Sequence, residues 1–116
     1  QRIGKSNCNT ELHAGMILSN EPGYYKDNAY GIRCENLVVV RESEASNEDG
    51  PAMLEFEALT MVPFDNRLVD LELLNDDELE WLNDYHTEVR AKIAPYLDPE
   101  ELAWLEAATQ PLGEAA

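Results

Sequence analysis

Two glutamates, Glu21 and Glu35, flank the turn cluster KDN within the stretch GMILSNEPGYYKDNAYGIRCENLVVV. Apolar and β-branched residues at 16–21 and 30–40 on either side of that cluster predict a β-hairpin. If its arms are related by reflection through Asn28, Glu21 faces Glu35, with β-carbons about 4.5–5.5 Å apart on one face of the sheet. Like charges so placed destabilise a sheet unless something positive lies between them. A divalent cation spans that distance, and carboxylate oxygens suit hard ions. Two plainer readings stand beside this one: both glutamates decorate a solvated face, or one pairs with Arg33, which period-two alternation sets on the Glu35 side. Two carboxylates also do not complete a site, since hard divalent ions take about six ligands and zinc about four.

The flanking residues refine the picture. Pro22 lacks a backbone donor and Gly23 permits a sharp change of direction, so a strand edge, a bulge or an exit from the sheet is expected just after Glu21, aiming its carboxylate into a cleft. Alternation turns Cys34 to the opposite side, where it is expected as a small core residue rather than a ligand. Of the two histidines, His13 in the turn-like ELHAG segment reads as a surface residue, and His86 as a packed helical one. There is no Gly-rich phosphate loop, no GxSxG and no HExxH.

The elements that must position this pair follow from pattern. Leu54 to Val62 begins by alternating, with Leu54, Phe56 and Ala58 on one side and Glu55 and Glu57 on the other, as a half-buried strand does. RESEASNEDGPA before it reads as a solvated loop. A short strand is expected at 67–71. Asn75 ahead of Asp76, Asp77 and Glu78 has the form of a capped helix start, with acids where the macrodipole favours them. Leu79, Leu82, His86, Val89 and Ile93 recur at helical spacing, joined by Tyr85, and Pro95 ends the helix. Asp98 followed by Pro99 opens a second helix, carrying Leu102 and Leu105 to Gln110-Pro111. Trp81 and Trp104 sit at helical spacing and are expected to be core, with an interface role as the competing reading. Strands followed by two helices make an α+β chain.

The 116 residues are about one domain's worth, with 44% hydrophobic and 28% charged residues, a globular balance. The formal net charge of -16 argues against nucleic acid and anionic membranes as partners. The acidity is uneven: residues 1–41 hold five basic and four acidic side chains, whereas 65–116 hold three and fourteen. Cys8 and Cys34 lack CxxC spacing and are expected as reduced thiols of a cytoplasmic protein. No segment reads as a signal peptide, and no apolar run approaches the ~18 residues of a membrane span. Opening at Gln1 in a polar segment, the chain is expected to be a piece of a longer protein.

The quoted stretch, with EPGYY after a GM-apolar strand and GIR-x-EN beyond it, resembles the end of the catalytic domain of aminopeptidase P, the Xaa-Pro aminopeptidases of the creatinase-like pita-bread metallopeptidases. FEALTMVPFD, DLELLNDDELEWLNDYH and TQPL resemble the tail of that family's longer members, so the likeness covers nearly the whole chain. It implies antiparallel strands from the end of a pita-bread domain at 1–64 and an acidic helical tail at 65–116. It further implies a parent hydrolase that removes the N-terminal residue from peptides with proline in second position, using two divalent ions, Mn²⁺ foremost with Zn²⁺ or Co²⁺ as alternatives. In that family pattern Glu21 matches a metal ligand that is also the base for the attacking water, and Glu35 a ligand bridging both ions. Tyr25 and Arg33 match a supporting pair that orients and charge-balances the ligands. The family's two aspartates and its histidines lie upstream of Gln1, so the piece alone is expected to be inactive and at most a weak metal binder. Its partners would be a peptide and the upstream part of the same domain. Self-association is expected through uncovered strands. An acidic interaction module, or a non-catalytic peptide-binding relative, remains the alternative.

Overall fold

The computed structural model describes residues 10–44 and 53–113, which fall into two compact units, 1–60 and 61–116. Cys8 and most of the loop before Leu54 lie outside the described residues. The expected α+β class is what the chain adopts, with five strands followed by two α-helices among the described residues.

In the first unit, β1 (Ile17–Asn20), β4 (Asn36–Glu42) and β5 (Leu54–Ala58) form an antiparallel sheet in the order β1-β4-β5, while β2 (Gly23–Lys26) and β3 (Tyr30–Arg33) form a separate two-stranded ladder. The single hairpin expected from 16–21 and 30–40 is therefore two ladders in series. They share one register: Tyr25 faces Gly31 and Gly23 faces Arg33 in the outer ladder, and Asn20 faces Asn36 and Ile17 faces Val39 in the inner one. Between them the pairing lapses for two residues on each side, and one bond from the Cys34 N–H to the Pro22 carbonyl, 3.0 Å, carries the alignment across. Proline has no N–H for the ladder, which accounts for the lapse where the sequence placed it. Asp27, Asn28 and Ala29 form the turn, closed by Ala29 N–H to the Lys26 carbonyl at 3.1 Å. Asn28 takes a φ of 57°, a left-handed conformation asparagine tolerates better than most residues.

One face of the β1-β4-β5 sheet buries Leu18, Val38 and Val40, with Leu12 and Met16 packed against them. Each such burial is worth about 1.5–3 kcal/mol. Phe56 faces Val40 in the register and lies on this side, yet remains 50% exposed. On the other face lie Ile17, Ser19, Leu37 and Val39, and there Arg41 pairs with Glu57. Cys34 is exposed, contrary to expectation. It lies in the lapse between the ladders, and no described residue covers its side of the chain there.

The second unit is organised by α1 (Asp76–Ile93) and α2 (Pro99–Ala108). Both begin with a reciprocal capping box, Asn75 with Glu78 and Asp98 with Glu101, as their sequences predict. The strand expected at 67–71 is instead two short 3-10 turns, Asn66–Leu68 and Leu71–Leu73. Asp65 and Asp70 each accept the N–H two residues on, and that local bond competes successfully with an extended backbone. The Arg67 guanidinium and its backbone N–H hold the Asp65 carboxyl down at about 2.

Helix α1 also satisfies backbone groups that no ladder serves. The Tyr85 hydroxyl donates to the Val62 carbonyl at 2.8 Å, and Phe64 N–H donates to His86 Nε2 at 3.0 Å. Asn83 exchanges two bonds with the Leu112 backbone, and Arg90 donates to the Thr109 carbonyl at 2.7 Å. Backbone polar groups withdrawn from water need partners, and for these partly buried ones the side chains of one helix provide them. Trp81 stacks on Tyr85 with centroids 5.5 Å apart, but Trp81 and Trp104 stay 55% and 63% exposed, so neither is the core residue expected.

His86 is fully buried. Because Nε2 accepts the Phe64 N–H, the neutral ring carries its proton on Nδ1, which has no partner among the described residues. Burial, then the nearby Arg90 charge, pushes its pKa down from 6.5. A depressed histidine means that the unfolded chain takes up the proton first, so stability is full above the unfolded value and is lost as pH falls below it. The chain's unfolding midpoint should therefore drop as pH is lowered from about 7.5 to about 5 by an amount that His86→Gln removes. Equal slopes for the two proteins in thermal denaturation would contradict this.

Candidate functional site

Period-two alternation with a continuous register sorts the hairpin residues. Ser19, Glu21, Gly23 and Tyr25 on one arm share a face with Gly31, Arg33, Glu35 and Leu37 on the other. Glu21 and Glu35 occupy the lapse, where no ladder bond holds their own backbones. Their side chains converge as the spacing predicts. Arg33 Nη1 lies 3.6 Å from Glu21 Oε2 and 3.5 Å from Glu35 Oε2, one cationic nitrogen between two carboxylates. The plainer reading in which one glutamate pairs with Arg33 is thus half of what occurs: both do.

Arg33 is itself held. Its Nε–H donates to the Tyr25 hydroxyl at 3.0 Å, with the guanidinium 6.0 Å from the Tyr25 ring centroid. The Tyr25 hydroxyl first, then Glu35 and Glu21, raise its pKa above the ordinary arginine value. The Tyr25 ring in turn lies over two glycines. A β-carbon on Gly23 would come 2.7 Å from the Tyr25 hydroxyl and 2.9 Å from the Ile32 carbonyl, and one on Gly31 would come 2.8 Å from the ring. Glycine is required at both positions because the ring occupies the space a side chain would need.

The structure thus brings together all four residues singled out from sequence. It adds Ser19, whose hydroxyl donates to Glu35 Oε1 at 2.8 Å. Ser19 stands opposite Leu37 and hence diagonal to Glu35 on the same face, within reach of a short polar side chain. Its position two residues before Glu21 was a usable signal.

The donor set fits hard divalent cations in kind: two half-exposed carboxylates, aimed at one point and already balanced by a positive group. It is incomplete in number. Among the described residues no group of three or more His, Cys, Asp or Glu could hold a metal ion. His13 is exposed and His86 is spent on Phe64.

Residues 1–42 match metallopeptidase family M24, and residues 52–112 match the C-terminal region of peptidase M24. A probable Xaa-Pro aminopeptidase P of Coprinopsis cinerea is 49% identical over 107 residues, 90% of this chain and 17% of the relative. Aminopeptidase P2 of Arabidopsis thaliana is 50% identical over 107 residues, again 90% of this chain, and 15% of the relative. Among solved structures, an X-prolyl aminopeptidase from Caenorhabditis elegans, described as a cytosolic enzyme with a di-nuclear active site, superposes with a TM-score of 0.79 at 37% identity. That likeness covers 95% of this chain and 18% of the other. The chain therefore spans only 15–18% of these relatives' lengths. With such identity sustained across nearly all of its residues, the chain belongs to metallopeptidase family M24, on the aminopeptidase P side of it.

Proposed function

We propose that the protein to which this chain belongs removes the N-terminal residue from peptides with proline in second position, in the cytoplasm. In this reading residues 1–64 end the catalytic domain and 65–116 form its helical tail. The observation that carries it is the convergence of Glu21 and Glu35 on a single nitrogen of Arg33. Glu21 and Glu35 would help to hold two divalent ions, Mn²⁺ foremost, with the remaining ligands coming from the rest of the catalytic domain. Such ions supply an acidified water and polarise the scissile carbonyl. Glu21 would take the proton that the attacking water gives up and return it to the proline nitrogen as the amide C–N bond breaks, freeing the N-terminal residue and a peptide that begins with proline. Arg33, fixed by Tyr25, keeps the two carboxylates from repelling each other apart and orients them.

In the full-length protein, Glu35→Ala should abolish Xaa-Pro cleavage and leave the circular dichroism spectrum unchanged; undiminished turnover would discard the reading. Because only two carboxylates of the described residues meet at this site, the 116-residue chain alone is inactive in this account. Titration calorimetry with Mn²⁺ should find weak binding at most, and two-site micromolar binding would refute it.

A second reading, an acidic interaction module, is favoured by the exposure of Trp81 and Trp104 on a unit rich in carboxylates. It shares one expectation with the first. Ile17, Leu37 and Phe56 leave apolar strand surface uncovered, so the isolated chain should associate with itself at high concentration. Sedimentation velocity checks this, and a clean monomer would count against it.

A further inference from the structure

Glu35 stands where the ladder lapses, so its carboxylate is oriented by its side-chain partners rather than by its backbone. It has two, one on each oxygen. Arg33 approaches Oε2 at 3.5 Å, at the limit of a hydrogen bond, and is shared with Glu21. Ser19 Oγ–H donates to Oε1 at 2.8 Å, the shorter and better-defined contact. Ser19 itself is anchored, since it is paired within β1 against β4 and its neighbour Leu18 is buried in the core. A hydroxyl on a fixed strand thus reaches a carboxylate on an unfixed one.

The chemistry of this contact is specific. An ionised carboxylate offers about four lone-pair directions and no donor. A neutral donor occupying one of them on Oε1 fixes the carboxylate plane while leaving the remaining directions on both oxygens for cations. A second cation there would instead compete with any metal for the charge. Losing the hydroxyl removes no buried surface of consequence, because Ser19 is half-buried and its backbone remains in the ladder. The effect of its loss therefore falls on where the Glu35 oxygens point.

We propose that Ser19 is a positioning residue for the Glu35 carboxylate, holding it in the orientation in which it takes divalent ions. This rests on the metallopeptidase reading of the same pair. The test uses the metal-stripped full-length protein, with Mn²⁺ affinity measured by titration calorimetry and thermal unfolding without metal as the control. Ser19→Ala should weaken Mn²⁺ binding about tenfold or more, in the range for outer partners of metal ligands, with the metal-free midpoint unmoved. Ser19→Thr, which keeps the hydroxyl and suits a strand, should restore affinity to within about twofold. Wild-type affinity in Ser19→Ala, or a Thr variant as weak as the Ala variant, overturns the inference. Glu35→Ala separates the two levels: if it loses Mn²⁺ while Ser19→Ala does not, only the inference fails, whereas if it too binds like wild type, the metallopeptidase reading fails and the inference with it.

Discussion

A single register running through two ladders is the constraint on which the hairpin depends. Pro22 breaks the pairing beside Glu21, yet the Cys34–Pro22 bond keeps the outer strands in step with the inner ones. Had the register slipped by one residue at the break, the side chains of one arm beyond it would have changed faces relative to the other. Tyr25 and Arg33 would then lie on opposite faces rather than together beside Glu21 and Glu35. The lapse thus frees two carboxylates from the ladder without losing the alignment that brings their supporting groups to the same side. Core residues Leu18, Val38 and Val40 sit on the opposite face of the inner sheet, so packing holds the strand while its other side carries charge.

The second unit solves a different problem with a related device. Val62, Phe64, Thr109 and Leu112 lie in segments without regular structure, and their backbone groups are met by Tyr85, His86, Arg90 and Asn83. All four project from α1, which serves as a scaffold for the chain segments on either side of the two helices. This explains why the helix stripe contains polar residues. His86 and Asn83 occupy positions where a purely apolar pattern would put leucine, because a methyl group cannot accept an N–H.

Much of this was legible in the amino-acid pattern. Reflection through Asn28 placed Glu21 opposite Glu35 and Arg33 beside them, and both helix starts followed from Asn75 and Asp98 with an acid three residues on. The misreadings share a cause: they required knowing what lies against a residue, which spacing does not contain. Alternation alone places Cys34 in a core, yet no described layer covers it. Trp81 and Trp104 have the spacing of buried residues and the environment of exposed ones. At 67–71 a short strand is expected, whereas Asp65 and Asp70 favour local turns through their own side chains. Ser19 is not legible from residue type, because a hydroxyl is no typical ligand and its link to Glu35 depends on a diagonal that only the register defines.

The bed of glycines beneath Tyr25 also determines how this hairpin can change over time. One side, from Gly23 and Gly31 through Tyr25 to Arg33, is filled so closely that an added carbon displaces the ring and, through it, the guanidinium. The reverse side, where Tyr24 and Ile32 face each other in the open, carries no such linkage to the carboxylates. Drift is therefore confined to alternate positions, and the stretch from Gly23 to Arg33 can diversify the face that carries Tyr24 and Ile32 while the face that carries Tyr25 and Arg33 stays nearly frozen.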